Sequence, residues 1–348
     1  MLRINWIAYN YDKYDGYGRY SKHLIRALNR RGVDVRPYLT DQVRLAGWMQ
    51  RMAGIDYSRL TITCTPPYML YPLPGRQWNL TMTEGTRLPT GWAPHINAHA
   101  ARVIVPCEHN RKAFVDSGVT APVDVSPGGT CPDEFPLVRR DYSDRCGRPY
   151  TFLALGDRGA RKGWVEVYSA FYAAFGAPDQ TPDVRLLIKT RPHSNNIIDR
   201  ISGAEGRDPR IEYWCADVDH MADVYAAADC MAIPSRSEGW GMPHREAAMM
   251  GLPVITMRYS GMDDGQTDDW ALVVEKHRRS QIPGGNTMNI AGQWAKVDIP
   301  ELSERMRWCY EHPEEAAEQG QRAAKWLRAH QTWDDAADAL IALIEEHI

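Results

Sequence analysis

Residues 232–254 read Ala-Ile-Pro-Ser-Arg-Ser-Glu238-Gly-Trp-Gly-Met-Pro-His-Arg-Glu246-Ala-Ala-Met-Met-Gly-Leu-Pro-Val. An apolar run ends near Pro234, a glycine-bearing loop carries Glu238, and Pro243 suits the first turn of a helix, where its missing N–H would be unpaired anyway. Glu246 is expected in that first turn. A strand that passes through such a loop into a helix is the repeating unit of a parallel sheet with crossover helices. The unpaired amides expected at residues 239–242, together with the helix N-terminus, would make an anion-seeking pocket flanked by two carboxylates. That combination suits a ligand bearing both phosphate and hydroxyl groups. The alternative, open on these residues alone, is that Glu246 complements the helix dipole and Glu238 is solvated.

The same alternation of short apolar runs and helical periods continues in both directions. In the first half the strand-like runs are 4–9, 33–38, 60–64, 80–83, 103–105 and 123–126, with helical stretches at about 19–31, 93–101 and 110–117. A polar stretch at 139–149, with Gly147 and Pro149, reads as a linker. Beyond it come strands at 151–155, 184–189, 211–214, 230–233, 253–256 and 272–274, and after Pro300 the period turns helical over 301–311, 313–329 and 333–346. The chain of 348 residues is long enough for two domains at roughly 150 residues each. The expected architecture is therefore α/β, with two doubly wound units in tandem and the ligand site in the cleft where they face each other.

Composition narrows the class further. With 41 basic and 44 acidic residues, 44% apolar and 24% charged residues, the chain reads as ordinary globular protein rather than disordered, collagenous or coiled-coil. No run approaches the ~18 apolar residues of a membrane helix, and Met1-Leu2-Arg3-Ile4-Asn5 has no signal-peptide core. A near-neutral balance lacks the positive field that drives non-specific nucleic-acid binding. The seven cysteines form no C-x-x-C pair and read as reduced thiols, in keeping with a cytoplasmic location.

A second motif weighs on the first. After the strand at 151–155 the chain reads Gly156-Asp-Arg158-Gly-Ala-Arg161-Lys162-Gly163-Trp, a basic, glycine-rich turn in the same half as the Glu238 loop. Charge-assisted bonds from Arg or Lys to phosphate are worth roughly 1.5–3 kcal/mol each, so two such side chains suit a diphosphate. Beside this turn, the reading of Glu238 and Glu246 as ligand-binding becomes the better one.

In order along the chain, Asp15-Gly16-Tyr17-Gly18, Val105-Pro-Cys-Glu-His-Asn-Arg-Lys-Ala-Phe, Pro127-Gly-Gly-Thr-Cys-Pro-Asp-Glu-Phe, Arg158 with Lys162-Gly163, Asp223-Val-Tyr-Ala-Ala-Ala-Asp, and the pair Glu238 and Glu246 resemble the motifs of the retaining glycosyltransferases of family four. The resemblance implies the GT-B fold, two Rossmann-like domains across a cleft. Residues 1–145 plus the helix at 333–348 would form the acceptor side and 146–332 the sugar-nucleotide side. It implies transfer of a sugar, without a metal or other cofactor, from a UDP-, GDP-, ADP- or dTDP-sugar to a hydroxyl of a glycan, lipid-linked or small-molecule acceptor. A protein or a nucleic-acid base remains open as acceptor. Catalytic roles fall on Glu238, Arg158, Lys162 and Glu84. Donor binding falls on Gly16, Gly18, Arg161, Gly239, Trp240, Gly241, Met242 and Glu246, with Glu246 at the ribose and Glu238 facing the transferred sugar. Gly16 would let the backbone approach the diphosphate. The chain departs from the family at Thr81-Met-Thr-Glu84, where many members carry a histidine that Glu84 would replace. The 158–162 turn is also shorter than in some relatives, so that Arg161 is a second candidate for the arginine role.

Other features of the sequence compete with this reading. Asp217-Val-Asp219 matches the D-x-D of metal-dependent glycosyltransferases, although Asp217 as the N-cap of a helix at 221–228 is simpler. His95 and His99 have zinc-like spacing with no glutamate between them, so an ordinary helix face is expected. Gly16-x-Gly18 lacks the third glycine of a dinucleotide turn. Basic residues at 19, 22, 26, 30, 31 and 36 beside Leu24, Ile25 and Leu28 would permit peripheral contact with the inner membrane face, a solvated helix face being simpler. The aromatics Trp6, Tyr9, Tyr11, Tyr14, Tyr17 and Trp92 are candidates for acceptor stacking, with core packing the alternative. A non-catalytic sugar-nucleotide or glycan-binding relative is the remaining class.

Overall fold

The computed structural model describes residues 1–12, 15–43, 54–142, 147–156, 160–192, 208–264, 270–282 and 290–348. Its backbone divides into two compact units, one of residues 1–129, 281–293 and 331–348, the other of 130–280 and 294–330. The first boundary follows Gly129, ahead of the expected 145/146 break. The reason lies in the segment between: Phe135 packs among Leu153, Val224 and Met249, and the Arg140 guanidinium donates to the carbonyls of Ala228 and Tyr225.

The first unit holds β1 (Arg3–Ala8), α1 (Gly16–Arg30), β2 (Asp34–Leu39), β3 (Leu60–Cys64), β4 (Gln77–Leu80), α2 (Trp92–His99), β5 (Arg102–Val105), α3 (Glu108–Asp116) and β6 (Val123–Val125). Its six parallel strands run in the order β2-β1-β3-β4-β5-β6. α1 starts earlier than expected because Asp15 caps it, its Oδ1 accepting the Gly18 N–H at 2.9 Å. The strand expected at 80–83 instead ends at Leu80, and the buried Thr81 and Thr83 continue as irregular chain.

The second unit holds β7 (Tyr150–Leu155), α4 (Trp164–Phe175), β8 (Val184–Thr190), β9 (Ile211–Cys215), α5 (Met221–Ala226), β10 (Cys230–Ile233), α6 (Met242–Met249), β11 (Val254–Met257) and β12 (Leu272–Val274). The strands are again parallel, ordered β12-β11-β10-β7-β8-β9. An additional two-stranded ribbon, β13 (His277–Gln281) with β14 (Gln293–Val297), was not expected from the sequence. The helices α7 (Ile299–Glu311) and α8 (Pro313–His330) then pack on α4 and α6 respectively.

The terminal helix α9 (Trp333–His347) belongs to the first unit, against α1. A Thr332–Asp335 capping box starts it, and Trp333 meets Tyr20 edge-on at 4.9 Å and stacks on His23 at 5.4 Å. Arg30 and Arg31, two members of the basic set considered for a membrane, pair instead with Asp334 and Asp338 of α9. Among the described residues no helix is long and apolar enough to cross a membrane.

Candidate active site

In the second sheet β7 lies between β10 and β8, so the chain leaves β7 and β10 toward opposite sides at their carboxyl ends, the place where sheets of this kind bind ligands. Both sequence motifs sit there. Past β7, residues 157–159, and with them Arg158, lie outside the described residues. A turn of 3-10 helix follows over Ala160–Lys162, and Gly163 starts α4 with φ of 71°. A Cβ on Gly163 would fall 2.4 Å from the Pro234 carbonyl oxygen, so only glycine allows this turn to press against the exit of β10. Hydrogen bonds then lace the two segments together. Arg236 N–H donates to the Arg161 carbonyl at 2.6 Å, and the Arg161 guanidinium donates to the Ser237 carbonyl at 2.7 Å.

The result is an ion triad. Lys162 Nζ lies 2.7 Å from Glu238 Oε1 and Arg161 Nη1 lies 2.8 Å from Glu238 Oε2. Glu238 is buried. Burial alone would raise its pKa, but the adjacent charges of Arg161 and Lys162 and their hydrogen bonds outweigh it and hold the carboxyl well below the usual carboxylate range. The Glu238 N–H donates to Ser260 Oγ at 2.9 Å and its carbonyl accepts from the Gly261 N–H at 3.0 Å.

Beyond Glu238 the loop ends at Gly241, which precedes α6 with φ of 82° and no side-chain cap. Pro243 occupies the first turn as expected. Glu246 does not: α6 starts at Met242, so residue 246 falls in the second turn, where its buried Oε2 accepts from the Tyr225 hydroxyl at 2.8 Å. The Trp240 indole is buried beneath the Arg245 guanidinium, 3.7 Å from its centroid, so the residue's backbone, rather than its ring, borders the loop. His244 is fully buried, and burial first, then the Arg245 charge, push its pKa well below the ordinary histidine value. Sequence reasoning passed over Ser260, Tyr225, His244 and Arg245. The last two stood inside the motif beside Glu246, as polar residues at the head of a helix that is otherwise apolar, which was the available signal.

In the first unit Gly16 is part of α1, and the close approach falls on Gly18: a Cβ there would lie 2.3 Å from Asn10 Oδ1 and 2.7 Å from the Asp12 carbonyl oxygen. The tightly packed glycine of this loop is thus Gly18 rather than Gly16. Between them, Tyr17 reaches the segment that carries Glu84. Its hydroxyl contacts Thr81 Oγ1 at 3.1 Å and accepts the Met82 N–H at 3.1 Å. The Thr83 N–H donates to Asn110 Oδ1 at 2.5 Å. Glu84 is half-buried. Of the other aromatics considered for stacking, Trp6 and Trp92 are core residues. Tyr14 lies outside the described residues.

Asp217 does not cap α5. His220 takes that position, because α5 starts at Met221, and it makes no side-chain cap bond. His95 Nε2 engages the Leu70 carbonyl at 2.9 Å. The described cysteines are all free thiols, while Cys146 lies outside the described residues.

Residues 107–340 match the family described as Family 4 Glycosyltransferase in conflict systems. The chain belongs to that family. Among curated relatives of this family-four chain, the D-inositol 3-phosphate glycosyltransferase of Rhodococcus opacus is 36% identical over 118 aligned residues, covering 28% of this chain and 26% of that protein. The match thus spans about a quarter of that relative's length. Among solved structures, the sucrose-phosphate synthase of Thermosynechococcus elongatus superposes with a TM-score of 0.74 at 15% identity, over 99% of both chains. Anabaena HepE, solved with UDP and glucose, gives 0.70 at 13% identity, over 99% of this chain and all of that one. These superpositions show that the family-four chain has the GT-B fold, with a parallel six-stranded sheet in each unit.

Proposed function

We propose that this protein is a retaining, metal-independent glycosyltransferase that moves a sugar from a nucleoside-diphosphate sugar to a hydroxyl group. The observation that carries the reading is the Lys162–Glu238–Arg161 triad at the carboxyl ends of β7 and β10. Two cations within hydrogen-bond reach of one anion form a site that a diphosphate can enter by exchange. The phosphate oxygens take over Lys162 and Arg161, and the released Glu238 carboxylate turns to the hydroxyls of the transferred sugar. As the bond from the anomeric carbon to the diphosphate breaks, negative charge grows on the leaving phosphate, where fixed cations are worth most. Attack from the same face, with the leaving phosphate oxygen accepting the acceptor proton, retains configuration and needs no carboxylate pair at glycosidase spacing. Glu246, tied to Tyr225, is assigned to the ribose, and Glu84 to the acceptor side.

The relatives agree with this reading in kind. HepE was solved with UDP-glucose as well as with UDP, and the curated relatives are named for transfer to an inositol phosphate. For this chain we propose a glycan, lipid-linked or small hydroxyl acceptor and a cytoplasmic site of action, with the donor drawn from the UDP, GDP, ADP and dTDP sugars.

A thermal-shift panel of those four donor classes tests the proposal. A ligand at 100 times its dissociation constant adds roughly 2.7 kcal/mol to stability, so one class should raise the melting temperature and the Lys162→Ala variant should lose most of the rise. EDTA should leave transfer intact. Equal donor binding and turnover by the parent, Lys162→Ala and Glu246→Ala would refute the site.

A further inference from the structure

The first turns of α6 hold a cation where a helix repels one. Arg245 is the fourth residue of α6 and is fully buried, near the end whose dipole is positive. Its guanidinium folds back along the helix, as helical side chains do, onto the ring of Trp240. Nη1, with its two hydrogens, faces the carbonyls of Trp240, Gly261 (2.9 Å) and, more distantly, Gly241 (3.4 Å), and Nη2 donates to the carbonyl of Asp264. Nη1 also lies 3.1 Å from His244 Nε2. One side chain thereby ties the loop that follows Glu238 to the segment 261–264, the same two segments that are bonded at Glu238 itself.

The direction of those carbonyls has a consequence for the amides. In a trans peptide the C=O and the following N–H point opposite ways. With the Trp240 and Gly241 carbonyls turned toward Arg245, the N–H groups of Gly241 and Met242 point away from its guanidinium. No acceptor meets either of them among the described residues. We infer that Arg245 is a positioning residue for the reaction: by gripping the carbonyls of Trp240 and Gly241 it presents the Gly241 and Met242 amides to the phosphate that Lys162 and Arg161 bind. The inference rests on the donor reading above. A leucine or methionine would fill the same volume without placing a charge beside the helix N-terminus. What the guanidinium adds is several donors in a fixed planar fork, which lysine cannot reproduce.

The test uses inorganic pyrophosphate, which carries the recognised charge without a base or sugar. Calorimetry on the parent, Arg245→Lys, Arg245→Met and Lys162→Ala should give affinities about tenfold weaker than the parent in all three variants. Circular dichroism and ligand-free melting of each variant separate a lost amide orientation from a lost fold. A merely structural arginine would lower the melting temperature and leave pyrophosphate affinity unchanged. Should the Arg245 variants fail to fold, the parent still decides the matter: amide exchange at Gly241 and Met242 must slow when pyrophosphate is added. Arg245→Lys or Arg245→Met binding within twofold of the parent, while Lys162→Ala does not, overturns the role of Arg245 alone. A parent that binds neither pyrophosphate nor any nucleoside diphosphate overturns the donor reading and this inference with it.

Discussion

At the scale of single residues, Glu238 is the group on which the proposed site turns, because its carboxylate pairs with both Lys162 and Arg161, the cations proposed to meet the donor. Glu238→Gln keeps the shape and removes the charge. Transfer should be lost while nucleotide affinity is kept, since the competing anion is gone, and assays of transfer and of binding on the same preparation check the split. Removing one member of a largely buried ion cluster also destabilises, here by about 1–3 kcal/mol after allowing for its partly solvated partners, measurable by urea unfolding. The sign with pH follows from the depressed carboxyl. Its contribution is complete above the ordinary glutamate range and disappears as acid protonates it, so the variant should flatten the acid limb of the stability curve. Lys162 and Glu238 were legible in the sequence because glycines and prolines mark their loops. The Tyr225 hydroxyl on Glu246 was not, since spacing within one motif says nothing about a partner on another helix. Nor did spacing alone fix the turn to which Glu246 belongs, because that depends on where Gly241 lets α6 begin.

At the scale of elements, two packing arrangements yield checks. Gly163 joins the cation-bearing turn to α4 at a positive φ and against the Pro234 carbonyl. Gly163→Ala should therefore cost about 1–3 kcal/mol and weaken nucleotide binding without touching any side chain of the triad. In the other unit His23 is buried against Trp333, on the helix that also carries Arg19, Arg26, Lys22 and Arg30. Burial first, then those charges, lower its pKa to about 4. A histidine neutral in the fold and protonated when unfolded loses stability as pH falls from about 6.5 toward 4. Unfolding titrations between pH 7 and 5 should show that slope, and His23→Gln should reduce it. The strands that sequence reading placed well are the apolar ones, such as β10 and β12. β4 was placed too late in the chain. Gln77 and Asn79 interrupt the apolar pattern, yet they are buried and bonded to Thr63 and Thr65 across the sheet. The β13–β14 ribbon escaped notice because His277-Arg-Arg-Ser-Gln281 has no apolar alternation; it rests on β14, whose Trp294, Ala295 and Val297 are buried.

For the molecule as a whole, the tandem α/β architecture was readable because each parallel strand is an apolar run followed by a helical period. The segmental exchange at the C-terminus was suggested by the family resemblance, while its cause is in the packing. α9 brings Trp333, Ala336, Ala337, Leu340 and Ile344 into the first unit, and burial of each large apolar side chain is worth roughly 1.5–3 kcal/mol. A chain ending at His330 should therefore lose slow amide exchange in β1, α1 and β3 while strands β7, β8 and β10 keep theirs, as hydrogen exchange by mass spectrometry can read. The donor reading itself belongs to the second unit and is tested most directly by an experimental structure with a bound nucleoside diphosphate. The account predicts phosphate oxygens roughly 3 Å from Lys162 Nζ and the Arg161 guanidinium, with Glu238 no longer bonded to both. A diphosphate bound elsewhere, with the three side chains still joined to one another, would contradict it.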